Sequence, residues 1–70
     1  MDLPLVTLRK SRGKTIVVRL KSGIEYKGRL DQSDDYMNLL LIDVEETTEN
    51  GSRRLGRAFI RGNNLLLIKI

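Results

Sequence analysis

The stretch Ile16-Val17-Val18-Arg19-Leu20-Lys21-Ser22-Gly23-Ile24-Glu25-Tyr26-Lys27-Gly28-Arg29-Leu30-Asp31 decides the fold. Ile16, Val18 and Leu20 fall on one side and Arg19 and Lys21 on the other, the period of a strand with one covered face. Ser22-Gly23 supplies a tight turn, after which Ile24, Tyr26, Gly28 and Leu30 alternate with Glu25, Lys27, Arg29 and Asp31. This is a β-hairpin. Gly28 inside its second strand predicts a sharp bend or bulge, because a glycine there gives up packing and gains curvature. Tyr26 follows the alternation of Ile24 and Leu30, so it reads as a packing residue.

Before the hairpin, Asp2 to Lys10 has the marks of a short helix. Asp2 can cap it, Pro4 is tolerated in the first turn, and Arg9 and Lys10 suit its negative C-terminal end. Leu5 and Leu8 share a face with Leu3 nearby, and Gly13 is a reasonable stop. After the hairpin, Met37 to Val44 reads as a third strand. It is apolar on both faces, with Leu39 and Leu41 on one and Leu40, Ile42 and Val44 on the other. Asn50-Gly51 is the strongest hairpin signal in the chain. Arg54 to Ile60 reads as a fourth strand, Arg61-Gly62-Asn63 as a turn, and Leu65 to Ile70 as a fifth strand, again apolar on both faces.

One helix followed by five antiparallel strands with short connections predicts a mainly β protein, a strongly bent sheet or SH3-like open barrel. At 70 residues the chain is expected to form a single domain, 1–70. A domain of this size buries only about 60% of the surface its unfolded chain exposes, so its core is thin. With no Cys and no His, disulfides and the commonest metal sites are excluded, which leaves association as the reinforcement. A last strand this hydrophobic would aggregate if left at an edge. Pairing it head-to-tail with the edge of a second copy removes the hazard and closes a ring where the rotation permits.

The formal net charge is +4, which favours anionic partners. Basic residues from Arg9 to Arg29 crowd the first part of the chain; none follows until Arg53, and most acids, from Asp31 to Glu49, fill the gap. This predicts one basic and one acidic region, the acidic stretch Asp43 to Glu49 being most simply a strand end and loop. Taken singly, most of these charges read as an ordinary solvated surface. No stretch approaches the roughly 20 apolar residues of a membrane span, and no secretory leader is apparent, so a soluble, cytoplasmic protein is expected. No cofactor or metal is expected. An enzyme is not expected either: His, Cys and a Walker-type phosphate loop are missing, and the adjacent Asp34 and Asp35 need not form an acid–base pair.

Two clusters lie where one strand hands over to the next: Asp34-Asp35-Tyr36-Met37-Asn38 and Ile60-Arg61-Gly62-Asn63. Together they offer an aromatic face, a guanidinium, a side-chain amide and a glycine, the parts needed to grip an unstacked base. Tyr36 can lie against one face of the base and Arg61 against the other. The Asn38 amide can accept from an N–H on a base edge and donate to a carbonyl beside it. Asp34 is expected to fix that amide by accepting its second N–H, leaving the oxygen aimed at the base. Gly62 is expected to let backbone approach the nucleotide, and Asn63 to add a polar contact or make the turn. Taken alone, Tyr36 is an ordinary strand aromatic, Asp34 and Asn38 are turn residues, and Arg61-Gly62 is a plain hairpin turn; their joint occurrence favours a base site. Arg9, Lys10, Arg12 and Lys14 either guide RNA across the helix face or form a solvated face.

The segment Gly28 to Leu41, with Asp34, Tyr36 and Asn38, resembles the first Sm motif, and Ala58-Phe59-Ile60-Arg61-Gly62-Asn63-Asn64-Leu65 resembles the second. The likeness covers essentially the whole chain, and the short archaeal members of the Sm-like (LSm) family are the most similar. It implies an Sm fold and a ring, usually of seven subunits, with fourth and fifth strands paired between neighbours. It implies binding of single-stranded, uridine-rich RNA near a central pore, a scaffold or chaperone role in RNA metabolism, and RNA-processing protein partners. By position, Asp34, Tyr36 and Asn38 match the family's first set of RNA-binding residues, and Arg61 and Gly62, with Asn63 beside them, the second. Asp35 departs from the common pattern, standing where an apolar residue is frequent, and Ser33 stands where many members have an aromatic. An extra carboxylate there could weaken phosphate contacts. That, with the acid-rich middle, leaves open an alternative: a ring that organises protein partners and binds little or no RNA.

Overall fold

The computed structural model describes residues 5–70, with side chains from Leu8 onward. The expected helix start at Asp2 and Pro4, and the apolar face shared by Leu3 and Leu5, lie outside that description. The elements are α1 (Leu5–Lys10), β1 (Thr15–Leu20), β2 (Glu25–Ser33), β3 (Leu39–Thr48), β4 (Gly51–Ile60), a 3-10 turn (Gly62–Asn64) and β5 (Leu65–Lys69). The five strands form one antiparallel sheet in the order β4-β3-β2-β1-β5, so β4 and β5 are its two edges.

Helix α1 ends where the sequence places its stop. Gly13 adopts φ +85, a left-handed value that glycine takes without strain. Its N–H donates to the Leu30 carbonyl at 2.8 Å, and the Leu30 N–H returns to the Lys14 carbonyl at 3.0 Å, seating the helix exit on β2. Leu8 is fully buried there. It joins Ile16, Val18, Leu30, Leu39, Leu41, Val44, Ile60 and Ile68 in the core. Each such side chain contributes about 1.5–3 kcal/mol.

The bend arises at Gly28, and from both strands. Lys27 pairs with Glu45 and Arg29 with Ile42, so Asp43 and Val44 of β3 face the single residue Gly28. Asp43, at φ +52, is the bulged residue. A side chain at Gly28 would meet the Val44 methyl at 3.0 Å and the Ile42 carbonyl oxygen at 3.1 Å, so the glycine permits the close crossing.

This bulge corrects one expectation. Val44 does not share a face with Leu40 and Ile42; the extra residue flips the alternation, and Val44 joins Leu39 and Leu41 in the core while Leu40 and Ile42 stay half-buried. A second correction concerns the acidic stretch. Residues 43–48 are strand, and β3 runs on to Thr48 instead of stopping at Val44, while β4 begins at Gly51. Cross-strand charge holds them: Glu45 pairs in register with Arg54 and Glu46 with Arg53, Lys27 lies opposite Glu45, and Arg29 approaches Asp43 at 3.4 Å. The acids are therefore interleaved with bases rather than segregated.

Candidate nucleic-acid interface

Register brings the two clusters together. Leu39 pairs with Ile60, so the β2–β3 connection and the β4–β5 connection emerge side by side. The first is organised by Asp34. Its Oδ1 accepts the backbone N–H of Tyr36 at 2.9 Å and of Asn38 at 3.0 Å, and its Oδ2 accepts the Asn38 side-chain N–H at 2.9 Å. These donors, the Asn38 amide first, hold the Asp34 carboxyl below its ordinary value of 3.8, so it stays ionised at neutral pH. Met37 takes a left-handed φ of +63 and tucks against the core, while Tyr36 is left 83% exposed.

The second connection is a 3-10 turn closed by the Asn64 N–H on the Arg61 carbonyl at 3.0 Å. Its Gly62 N–H donates to the Asn38 side-chain oxygen at 2.9 Å. The Asn38 amide is thus held at both ends, its nitrogen by a carboxylate and its oxygen by a backbone N–H. Flipping it would set donor against donor and oxygen against oxygen. The expected Asp34 contact is present, and one lone pair of the amide oxygen is taken by the Gly62 N–H. One N–H and one lone pair remain.

Gly62 also sits at the contact between the two connections. A side chain there would lie 1.9 Å from the Tyr36 carbonyl oxygen and 3.0 Å from the Met37 carbonyl carbon. The missing side chain lets the two connections pack on each other.

Tyr36, Asn38, Arg61, Gly62 and Asn63 line one cleft of about 630 Å³; Asp34 stands behind it, supporting Asn38. Phe59 lines it too, 65% exposed on β4, and sequence reading passed over it as a strand residue. Its place two residues before Arg61, at the end of β4, was the available signal. Asp35 does not line the cleft; its carboxylate pairs with the Arg9 guanidinium of α1. Tyr26 is not part of this site. Its hydroxyl donates to Glu46 at 2.8 Å, far along the sheet. Among the described residues no group of three or more acidic, His or Cys side chains could hold a metal, and no helix is long and apolar enough to cross a membrane.

The family model of the LSM domain matches residues 6–70. The chain belongs to the LSM domain family. It is 41% identical to the fission yeast LSM complex subunit lsm4 over 70 residues, covering 97% of this chain and 58% of that relative's length. Among solved structures, a P. aerophilum SmAP1 heptamer superposes with a TM-score of 0.88 at 35% identity, covering 99% of this chain and 93% of its own. The Pyrococcus abyssi Sm protein in complex with a uridine heptamer superposes with a TM-score of 0.87 at 36% identity, covering 97% of both chains. The sheet and motifs of this LSM domain are therefore those of the family.

Proposed function

We propose that this LSM domain is a subunit of a cytoplasmic, ring-shaped homo-oligomer of seven copies that binds single-stranded, uridine-rich RNA, one base per cleft, as a non-enzymatic scaffold or chaperone in RNA metabolism. The observation that carries the reading is the doubly anchored Asn38 amide beside an exposed Tyr36 and Arg61. Tyr36 stacks on one face of the base and Arg61 covers the other. Stacking of this kind contributes about 1–3 kcal/mol per base and hardly discriminates. The free N–H and lone pair of Asn38 supply discrimination: they match the carbonyl and N–H of uracil, whereas cytosine presents a donor and acceptor in the opposite order. Because the amide is fixed at both ends, it does not turn to suit cytosine.

One cleft binds weakly, so a ring of clefts is needed for tight binding of a uridine tract. Support for assembly comes from the sheet edges, where β4 carries the exposed Phe59 and β5 the exposed Leu66, with Ile70 just beyond it. Structural likeness to an archaeal heptamer and to a uridine complex supports the same reading. Light scattering coupled to titration with oligo(U), oligo(C) and oligo(A) tests it. Wild type binds oligo(U) preferentially at the mass of a multimer; Tyr36→Ala with Asn38→Ala loses oligo(U) at unchanged mass. Oligo(U) binding unaffected by both substitutions overturns the base site and leaves a ring that serves protein partners. A single-subunit mass overturns the ring.

A further inference from the structure

The base cleft does not end at Phe59. Asn38 and Phe59 also line a depression of about 140 Å³ with Gln32, Ser33, Asp34 and Leu40. Gln32 and Ser33 in turn line a groove of about 460 Å³ between α1 and β2, where the charged residues are Arg9 and Arg12. These shared walls make one track from the cleft to the helix face. Both arginines are exposed, and Arg12 makes no ion pair among the described residues. Arg9 is already engaged, by Asp35. Asp35 immediately precedes Tyr36, so the carboxylate is carried on the base-gripping connection itself.

We propose that the Arg9–Arg12 groove receives the phosphodiester backbone of the strand leaving the base cleft, and that Asp35 restrains affinity by competing with phosphate for Arg9. The pair is exposed, both side chains being well over half accessible, so it adds little to folding and yields to a competing anion. Phosphate that takes Arg9 must displace the carboxylate and then remain beside it, which weakens but does not prevent the contact. Binding is thereby kept reversible in a ring whose avidity would otherwise multiply every contact. This rests on the base-site reading above.

The test is titration of oligo(U) at several salt concentrations into wild type, Asp35→Asn, Arg9→Ala and the double variant. Asp35→Asn keeps the side chain's size and removes its charge. It should tighten oligo(U) binding about 1.5- to fivefold, in line with loss of one competing exposed pair, and steepen the dependence of log K on log salt by about 0.7, one further single-strand phosphate contact. Adding Arg9→Ala should cancel both gains. Unchanged or weaker binding by Asp35→Asn overturns the proposal. So does a gain that survives Arg9→Ala, which would mark a general charge effect. Tyr36→Ala in the same titration keeps the two failures apart. Loss of binding there with an inert Asp35→Asn sinks the role of Asp35 alone, whereas binding that ignores Tyr36→Ala sinks the base site beneath it. All three substituted side chains are exposed, and light scattering with thermal melts confirms that each variant keeps its mass and fold.

Discussion

Each end of the bent sheet is organised by a carboxylate, and the two are finished differently. At one end Asp34 gathers two backbone N–H groups and the Asn38 amide, on an exposed connection. Toward the other end of β3 Glu46, buried at 8% exposure, takes the Tyr26 hydroxyl on one oxygen and the Arg53 Nε, at 2.6 Å, on the other. Arg53 first, then Tyr26, holds the Glu46 carboxyl below its ordinary value of 4.5, while burial and the Glu46 carboxylate push the Tyr26 hydroxyl up from 10.0. The Glu46 network closes on itself across β2, β3 and β4 and pins the curled strands. The Asp34 network leaves an N–H and a lone pair of Asn38 facing a cleft with an exposed aromatic ring. Similar chemistry braces a sheet where its valences are filled and leaves a donor and an acceptor open where one pair is left over.

The sharpest way to break the contrast is Gly62→Ala. The new methyl group would lie 1.9 Å from the Tyr36 carbonyl oxygen, a backbone atom that cannot swing aside, so the two connections must part. Overpacking of this sort costs about 1–3 kcal/mol of stability. The Gly62–Asn38 bond goes with it, and with that bond the edge reading worth about 1–3 kcal/mol, so oligo(U) affinity should fall about 10- to 100-fold. Gly56→Ala is the control, since no atom lies within 4 Å of its added carbon. Chemical denaturation and oligo(U) titration check both; a harmless Gly62→Ala would show that the connections do not need their present contact.

Asp34→Asn is subtler. It leaves one acceptor where two served and sets an NH2 group against the Asn38 NH2. Preference for oligo(U) over oligo(C) should drop about tenfold, the size of one edge contact, while stacking keeps much of the total affinity. Equal weakening of both oligonucleotides would reduce Asp34 to a structural support. At the other end, Tyr26→Phe keeps the ring and removes one hydrogen bond to a carboxylate, for about 1.5–3 kcal/mol. Each kcal/mol lowers the melting temperature by about 4–8 °C in a domain of this size. Oligo(U) affinity should not move; if it does, the two ends are coupled through β3.

The elements were legible in the sequence because their signals are local: alternation for β1 and β2, Gly13 for the helix stop, and glycines at the turns. The bend at Gly28 was legible too, but not its consequence on the partner strand. The bulge sits at Asp43, and nothing in the order of residues 39–44 marks an aspartate as left-handed, so Val44 was placed on the wrong face. Strand ends at Thr48 and Gly51 were hidden because Glu45 and Glu46 look like loop residues until Arg53 and Arg54 face them across the register. At the site, residue types suggested which side chains meet. They did not show that Asn38 is shared between Asp34 and Gly62, that the open side of Gly62 faces Tyr36, or that Asp35 turns to Arg9. Those depend on which two connections the register sets side by side, a property of the pairing and not of either segment.

The mildest probe uses unaltered protein and acid. Both carboxyls titrate below their ordinary values when folded, 3.8 for Asp34 and 4.5 for Glu46. What each adds to the fold is therefore fully present above those values and is lost as pH falls through the depressed ones. Stability and uridine preference should both be flat from neutral pH to about pH 5, well above the carboxylate range, and decline only in stronger acid. The two declines have separate causes. Protonating Glu46 loosens Arg53 and touches stability alone. Protonating Asp34 turns an acceptor into a donor, frees the Asn38 amide and erases the preference for uridine over cytidine at a midpoint below 3.8. In Asp34→Asn the preference should be low and level across the whole range, and in Tyr26→Phe the stability curve should shift while the preference curve stays in place. A preference that already fades between pH 6 and 5 would mean that Asp34 is not held ionised by its three donors, and the fixed amide would lose its anchor.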